Sequence, residues 1–170
     1  MEEVIAQISA YGLNPTVFTW DLLVVVGMFA LALLYAFTKG DQEVISLLIS
    51  VYIAGFIISF SPHVFLLNDR VAIDPWMGKV LVFFILFLAA FLVLRRNGFF
   101  EPYVVPTGYE IATFTVIAVG LFVSTASRLA GPDVMEGFSS IIQILFYSNI
   151  AFSVWAAAPL VALLALRGET

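Results

Sequence analysis

The chain has 170 residues, 62 % hydrophobic and 11 % charged, with a formal net charge of −5. A soluble domain carries about 45–50 % apolar and about 25 % charged residues, so in water this chain would leave too much apolar surface wet, whereas a bilayer solvates such faces. The acidic balance excludes the basic footprint that nucleic acid requires, and the absence of Cys excludes disulfides, thiolate metal sites and redox thiols.

In chain order, "MEEVIAQ" has acidic residues where a signal peptide needs a basic region, so no cleaved signal is expected. Over Glu2–Gly12, Val4, Ile8 and Tyr11 fall at helical spacing, which suits either a short interfacial helix or a frayed terminus. Asn14-Pro15 breaks the chain, and Thr19 is a candidate N-cap with Asp21 in the first turn that follows. Five apolar runs then approach the roughly 20 residues needed to cross about 30 Å of hydrocarbon. They are Trp20–Phe37, Val44–Phe60, Gly78–Arg96 (apolar from Val80 to Leu94, with snorkelling Arg95 and Arg96), Glu110–Leu129 and Ile141–Leu166. The runs are continuous instead of alternating, which predicts helices and not a barrel. The predicted fold is an all-α integral membrane protein of about five transmembrane helices in a single membrane domain spanning residues 1–170.

Small residues predict where those helices pack. Ser46, Ser50 and Ala54 repeat every four residues in the second run, Gly55 and Ser59 form another pair, and Gly120 and Ser124 do the same in the fourth. The third run, "VLVFFILFLAAFLVL", is bulky and suits a lipid-facing helix, so runs two, four and five are expected inside. Lys39, Arg95, Arg96 and Arg167 fall on one side of a five-span topology, against Arg70, Lys79 and Arg128 on the other. That bias predicts a cytoplasmic C-terminus and an N-terminus outside.

The turn "TKGDQE" between the first two runs reverses the chain in water, with Asp41 and Glu43 at the N-terminus of the second helix, where its dipole favours carboxylates. The same residues carry a resemblance. Asp21 opening the first run, Lys39-Gly40 at the turn, then Glu43 and "VISLL" resemble the start of the colicin V production protein family over roughly Asp21–Ser59. The resemblance implies a small multi-spanning protein of the bacterial cytoplasmic (inner) membrane, tied to export and to the envelope. It does not extend into the fourth run, which has Gly120 as its one glycine.

No run has Asp, Glu, Lys, Arg or His near its centre, which argues against a proton relay, a charge-coupled pump or an intramembrane protease. A lone His63 beside Pro62 excludes a His-cluster metal site within one chain. No enzyme activity and no cofactor or metal is therefore expected. What remains is uncharged polarity in the fifth run: Gln143, Tyr147, Ser148, Asn149 and Ser153, the last four residues beyond Asn149 on the same helical face. These side chains would either line a polar path or make interhelical hydrogen bonds. Pro159 predicts a kink, serving as a hinge or merely absorbing excess length. Two functions fit. The first is a non-enzymatic membrane protein that self-assembles into a homo-oligomer or supports an envelope or export complex. The second is a channel or small-solute transporter lined by the fifth run.

Overall fold

Apolar runs without internal proline become unbroken helices: α1 (Trp20–Lys39), α2 (Asp41–Phe60), α3 (Pro75–Asn97) and α4 (Gly108–Ala130). The computed structural model describes residues 20–39, 41–60, 74–97 and 108–167. The expected interfacial helix over Glu2–Gly12, the Thr19 cap, Gly40 and His63 lie outside them. The remaining elements are the short helices α5 (Pro132–Met135) and α6 (Ser140–Ile142), a wide π-type turn over Gln143–Tyr147, and α7 (Asn149–Arg167). No strand occurs among the described residues.

Helices α1 to α4 contain 20, 20, 23 and 23 residues, or about 30–35 Å each at about 1.5 Å per residue. All four are long and apolar enough to cross a membrane. They start and stop where local chemistry dictates. Pro75 takes the first position of α3, where its missing N–H has no intrahelical partner to lose. α3 ends at Asn97, directly before Gly98. α1 opens with Asp21 and closes on Lys39, each favoured by the helix dipole at its own end.

α4 is the axis of the molecule. Five consecutive residues in its middle, Ile117 to Leu121, are buried, so every side of that turn meets protein. One core lies between α4, α2 and α3, built on Leu48, Val51, Ala54, Ile58, Phe83, Ala118 and Leu121. A second lies on the other side of α4, where Val119 and Val123 meet Met135, Ile142, Phe146 and the apolar face of α1 from Leu22 to Ala32. α1 therefore packs chiefly on α4, although α2 follows it in the chain.

α3 turns about half of its bulky side chains outward, including Leu81, Phe84, Ile85, Leu88, Leu92 and Val93, while Phe83 is fully buried. It runs closely along α2, and Phe83, Phe84 and Phe87 gather round Phe122 of α4 with ring centroids 5.0–6.3 Å apart.

The fifth run departs from the predicted single helix over Ile141–Leu166. It divides into Ser140–Tyr147 and a second helix starting at Asn149, with a 50° bend between them. α7 also packs on one face only, since Ile150, Val154, Leu160, Val161 and Leu164 are exposed.

Candidate functional site at the broken fifth helix

The break is made at Ser148, whose backbone leaves the helical region (φ −61°, ψ 150°). Its N–H donates back to the Gln143 carbonyl at 3.0 Å, which closes the wide turn, and regular helix resumes with Phe152 N–H on the Ser148 carbonyl at 3.0 Å. A break in a helix orphans carbonyls that a continuous ladder would satisfy, and in an apolar setting each needs another donor. Side chains supply them here. The Ser148 hydroxyl donates to the Ile144 carbonyl at 3.0 Å and accepts from Ala151 N–H at 3.1 Å, so one group closes the turn and caps α7. The Trp155 indole N–H donates to the Leu145 carbonyl at 2.8 Å. The buried Ser124 hydroxyl of α4 donates to the Phe146 carbonyl at 2.6 Å.

The entry into the segment is pinned in the same way. Asp21 of α1 accepts from Ser139 N–H at 2.6 Å, just ahead of α6. Gln143 donates from Nε2 to the carbonyls of Met135 (2.8 Å) and Phe138 (3.0 Å), tying the wide turn to the loop above it.

Beside the break, Arg128 from the last turn of α4 donates to the Asn149 side-chain oxygen and stacks over the Phe152 ring at 4.3 Å. Arg128, Tyr147, Ser148 and Asn149 line a polar hollow of about 420 Å³. Deeper along α7, Trp155 lies flat on Gly120, so close that a Cβ there would overlap the ring. Trp155 also stacks on Phe146, with centroids 5.7 Å apart and planes 7° from parallel. The α4–α7 seam below the hollow is thus filled by aromatic rings.

A second concavity, about 530 Å³ and almost wholly apolar, runs between α2, α4 and α7, and Phe152 forms part of its wall. At its inner end the Tyr52 hydroxyl donates to the Ala156 carbonyl at 2.6 Å. At the opposite end of the bundle, Glu43 accepts from the Tyr35 hydroxyl at 2.5 Å and from Arg95 at 2.8 Å, joining α1, α2 and α3.

The sequence-predicted residues distribute unevenly over this geometry. Gln143, Ser148 and Asn149 do cluster at the break, whereas the Ser153 hydroxyl bonds to the Asn149 carbonyl of its own helix at 3.0 Å. Ser46, Ser50 and Ala54 are buried on α2, and Ser124 is fully buried on α4. Gly55 has room for a Cβ, with the Thr125 γ-methyl at 3.6 Å. Asp21 and Glu43 sit at opposite ends of the bundle and do not form one constellation with Lys39. Pro159 is buried inside α7 while the bend falls at Ser148, ahead of it in the chain. In the sequence Arg128 reads as a span-end charge and Trp155 carries no sign of its role. The signal for Arg128 is its place in the last turn of a helical run whose only other charge, Glu110, lies in the first turn. Among the described residues, no group of three or more His, Cys, Asp or Glu is placed to hold a metal.

No family model matches the chain, and no match is found among curated proteins or solved structures.

Proposed function

We propose that the chain is an integral membrane protein of five spans, the fifth of them broken, that works by non-covalent recognition and assembly and carries out no bond chemistry. The observation that carries this reading is the break itself, with a cation and three neutral polar side chains around a hollow. Non-helical backbone at membrane depth is tolerated where it is buried in protein or lines a cavity, and discontinuous helices are where membrane proteins build binding sites. The apolar outer faces of α1, α3 and α7 support placement in lipid. The resemblance of Asp21–Ser59 to colicin V production proteins supports a bacterial cytoplasmic membrane and a role in self-assembly or in an envelope complex. The excess of Lys39, Arg95, Arg96 and Arg167 on one side supports a cytoplasmic position for the α1–α2 turn.

A second reading, a channel or small-solute transporter, is favoured by the same broken helix and requires Trp155 to leave Gly120 and open the seam beneath the hollow. Because the chain has no Cys, single cysteines report topology without background. Under the proposal, Glu136→Cys reacts with an impermeant maleimide in intact cells, and Lys39→Cys reacts only after permeabilisation. Reaction of both from the same side would refute the five-span arrangement. In proteoliposomes, Trp155→Ala should admit no new ion or solute flux; a leak created by that change would favour the second reading.

A further inference from the structure

We infer that the polar hollow and the apolar groove are the two halves of one site for an anionic phospholipid, with the headgroup phosphate at Arg128 and one acyl chain lying between α2, α4 and α7. The inference rests on the membrane placement proposed above. Three observations carry it. First, the two concavities meet at one contact: Arg128 of the hollow stacks on Phe152, and Phe152 walls the groove. A cationic head region therefore adjoins an apolar trough, the polarity order of a phospholipid.

Second, the dimensions agree. The groove follows α2 from Tyr52 to Phe60, about 12 Å at about 1.5 Å per residue, close to one leaflet of a hydrocarbon core about 30 Å thick. Its inner end is closed by the Tyr52–Ala156 hydrogen bond, where a single-leaflet chain should stop. Phe56 and Phe60 on its outer lip are exposed, so the trough opens sideways, toward lipid.

Third, the charge is complementary. No carboxylate lines the hollow. A guanidinium carries five N–H donors, so the bond to Asn149 leaves donors able to meet phosphate oxygens.

The test uses the full chain in nanodiscs of equal phosphatidylglycerol and phosphatidylcholine, with retained lipid read by native mass spectrometry. Phosphatidylglycerol should be enriched about fivefold over its bulk ratio, the effect of one basic residue on an anionic headgroup. Arg128→Gln should return that ratio to the bulk value, and Arg128→Lys, which keeps the charge, should preserve it. Gly55→Leu, which fills the trough from α2 and leaves Arg128 untouched, should remove retained lipid of both kinds. Equal retention of the two lipids by the unaltered chain would overturn the inference. So would undiminished phosphatidylglycerol in Gly55→Leu, full competition by soluble glycerol phosphate (an anion site without a chain), or a stable dimer whose formation excludes lipid. Cysteine labelling separates the two failures: correct topology without lipid preference sinks the lipid site alone, and wrong topology sinks the membrane reading itself.

Discussion

The seam between α2 and its neighbours and the seam between α4 and the broken fifth helix solve the same packing problem in opposite ways. On α2 the backbone ladder is intact, so no carbonyl needs outside help. Ser50 donates to the Ser46 carbonyl one turn back within its own helix, at 2.5 Å. Small side chains then let helices approach along the middle of α2, and bonds to other helices are confined to side chains such as Tyr52 and Glu43. At the fifth helix the ladder is cut, and the contact is made of bonds between elements: Ser124 to Phe146, Trp155 to Leu145, Asp21 to Ser139. A serine buried on α2 and a serine buried on α4 look alike in the sequence, yet they answer to different demands. What decides between them is whether the facing backbone is whole.

Substitutions can break or sharpen that contrast. The largest effect is expected from Trp155→Ala, which removes the Phe146 stack, the filler over Gly120 and the donor to Leu145; the loss should be about 3–5 kcal/mol, read as unfolding free energy in mixed micelles. A loss below that of Ser124→Ala would mean the ring is not the keystone of the seam. Gly120→Ala should cost about 1–3 kcal/mol by overpacking against Trp155. In the double variant with Trp155→Ala the two losses should fall short of their sum, because both act on one contact; strict additivity would break the argument.

The direct comparison comes next. Ser124→Ala strands the Phe146 carbonyl and should cost about 1–2 kcal/mol. Ser50→Ala removes a bond that merely doubled one already made, and should cost no more than about 0.5 kcal/mol. Equal losses at the two serines would erase the distinction between the seams. Comparably small is the effect of Arg95→Gln at the far end of the bundle. Arg95 is 48 % exposed and Glu43 15 %, so the pair is solvent-screened and the expected loss is about 0–1 kcal/mol. A larger value would move the Glu43 cluster from a turn brace to a main support.

Much of the helix layout was legible because long uncharged runs leave few alternatives: α1 to α4 begin and end within three residues or so of the sequence reading. The small-residue face of α2 was legible for the same reason, since period-four spacing survives into the packed helix. The break at Ser148 was not. Sequence logic looks for a bend at proline, and Pro159 drew the attention, but a helix can carry an interior proline where neighbouring groups satisfy the freed carbonyl. A cut helix needs donors, and besides the hydroxyl of Ser148 itself those at the break come from Ser124 on another helix and from Trp155, several residues downstream. Within "FYSN" only Ser148 contributes, and the two distant donors leave no trace there. The pairing of Arg128 with Asn149 was hidden likewise, because it joins residues 21 positions apart across a loop.

The packing of α1 on α4, with its N-terminal carboxylate bonded to a peptide group 118 residues later, has a consequence for biosynthesis. α1 finds its main partner only after α4 has emerged from the ribosome. At about 5–20 residues per second that delay is on the order of ten seconds. Throughout it α1 stands without α4, and its side chains from Leu22 to Phe37 carry no charge that would demand a partner in the meantime. The docking of α1 is thus a late step in synthesis, and the Asp21 bond to Ser139 N–H can form only after the chain beyond α4 has emerged.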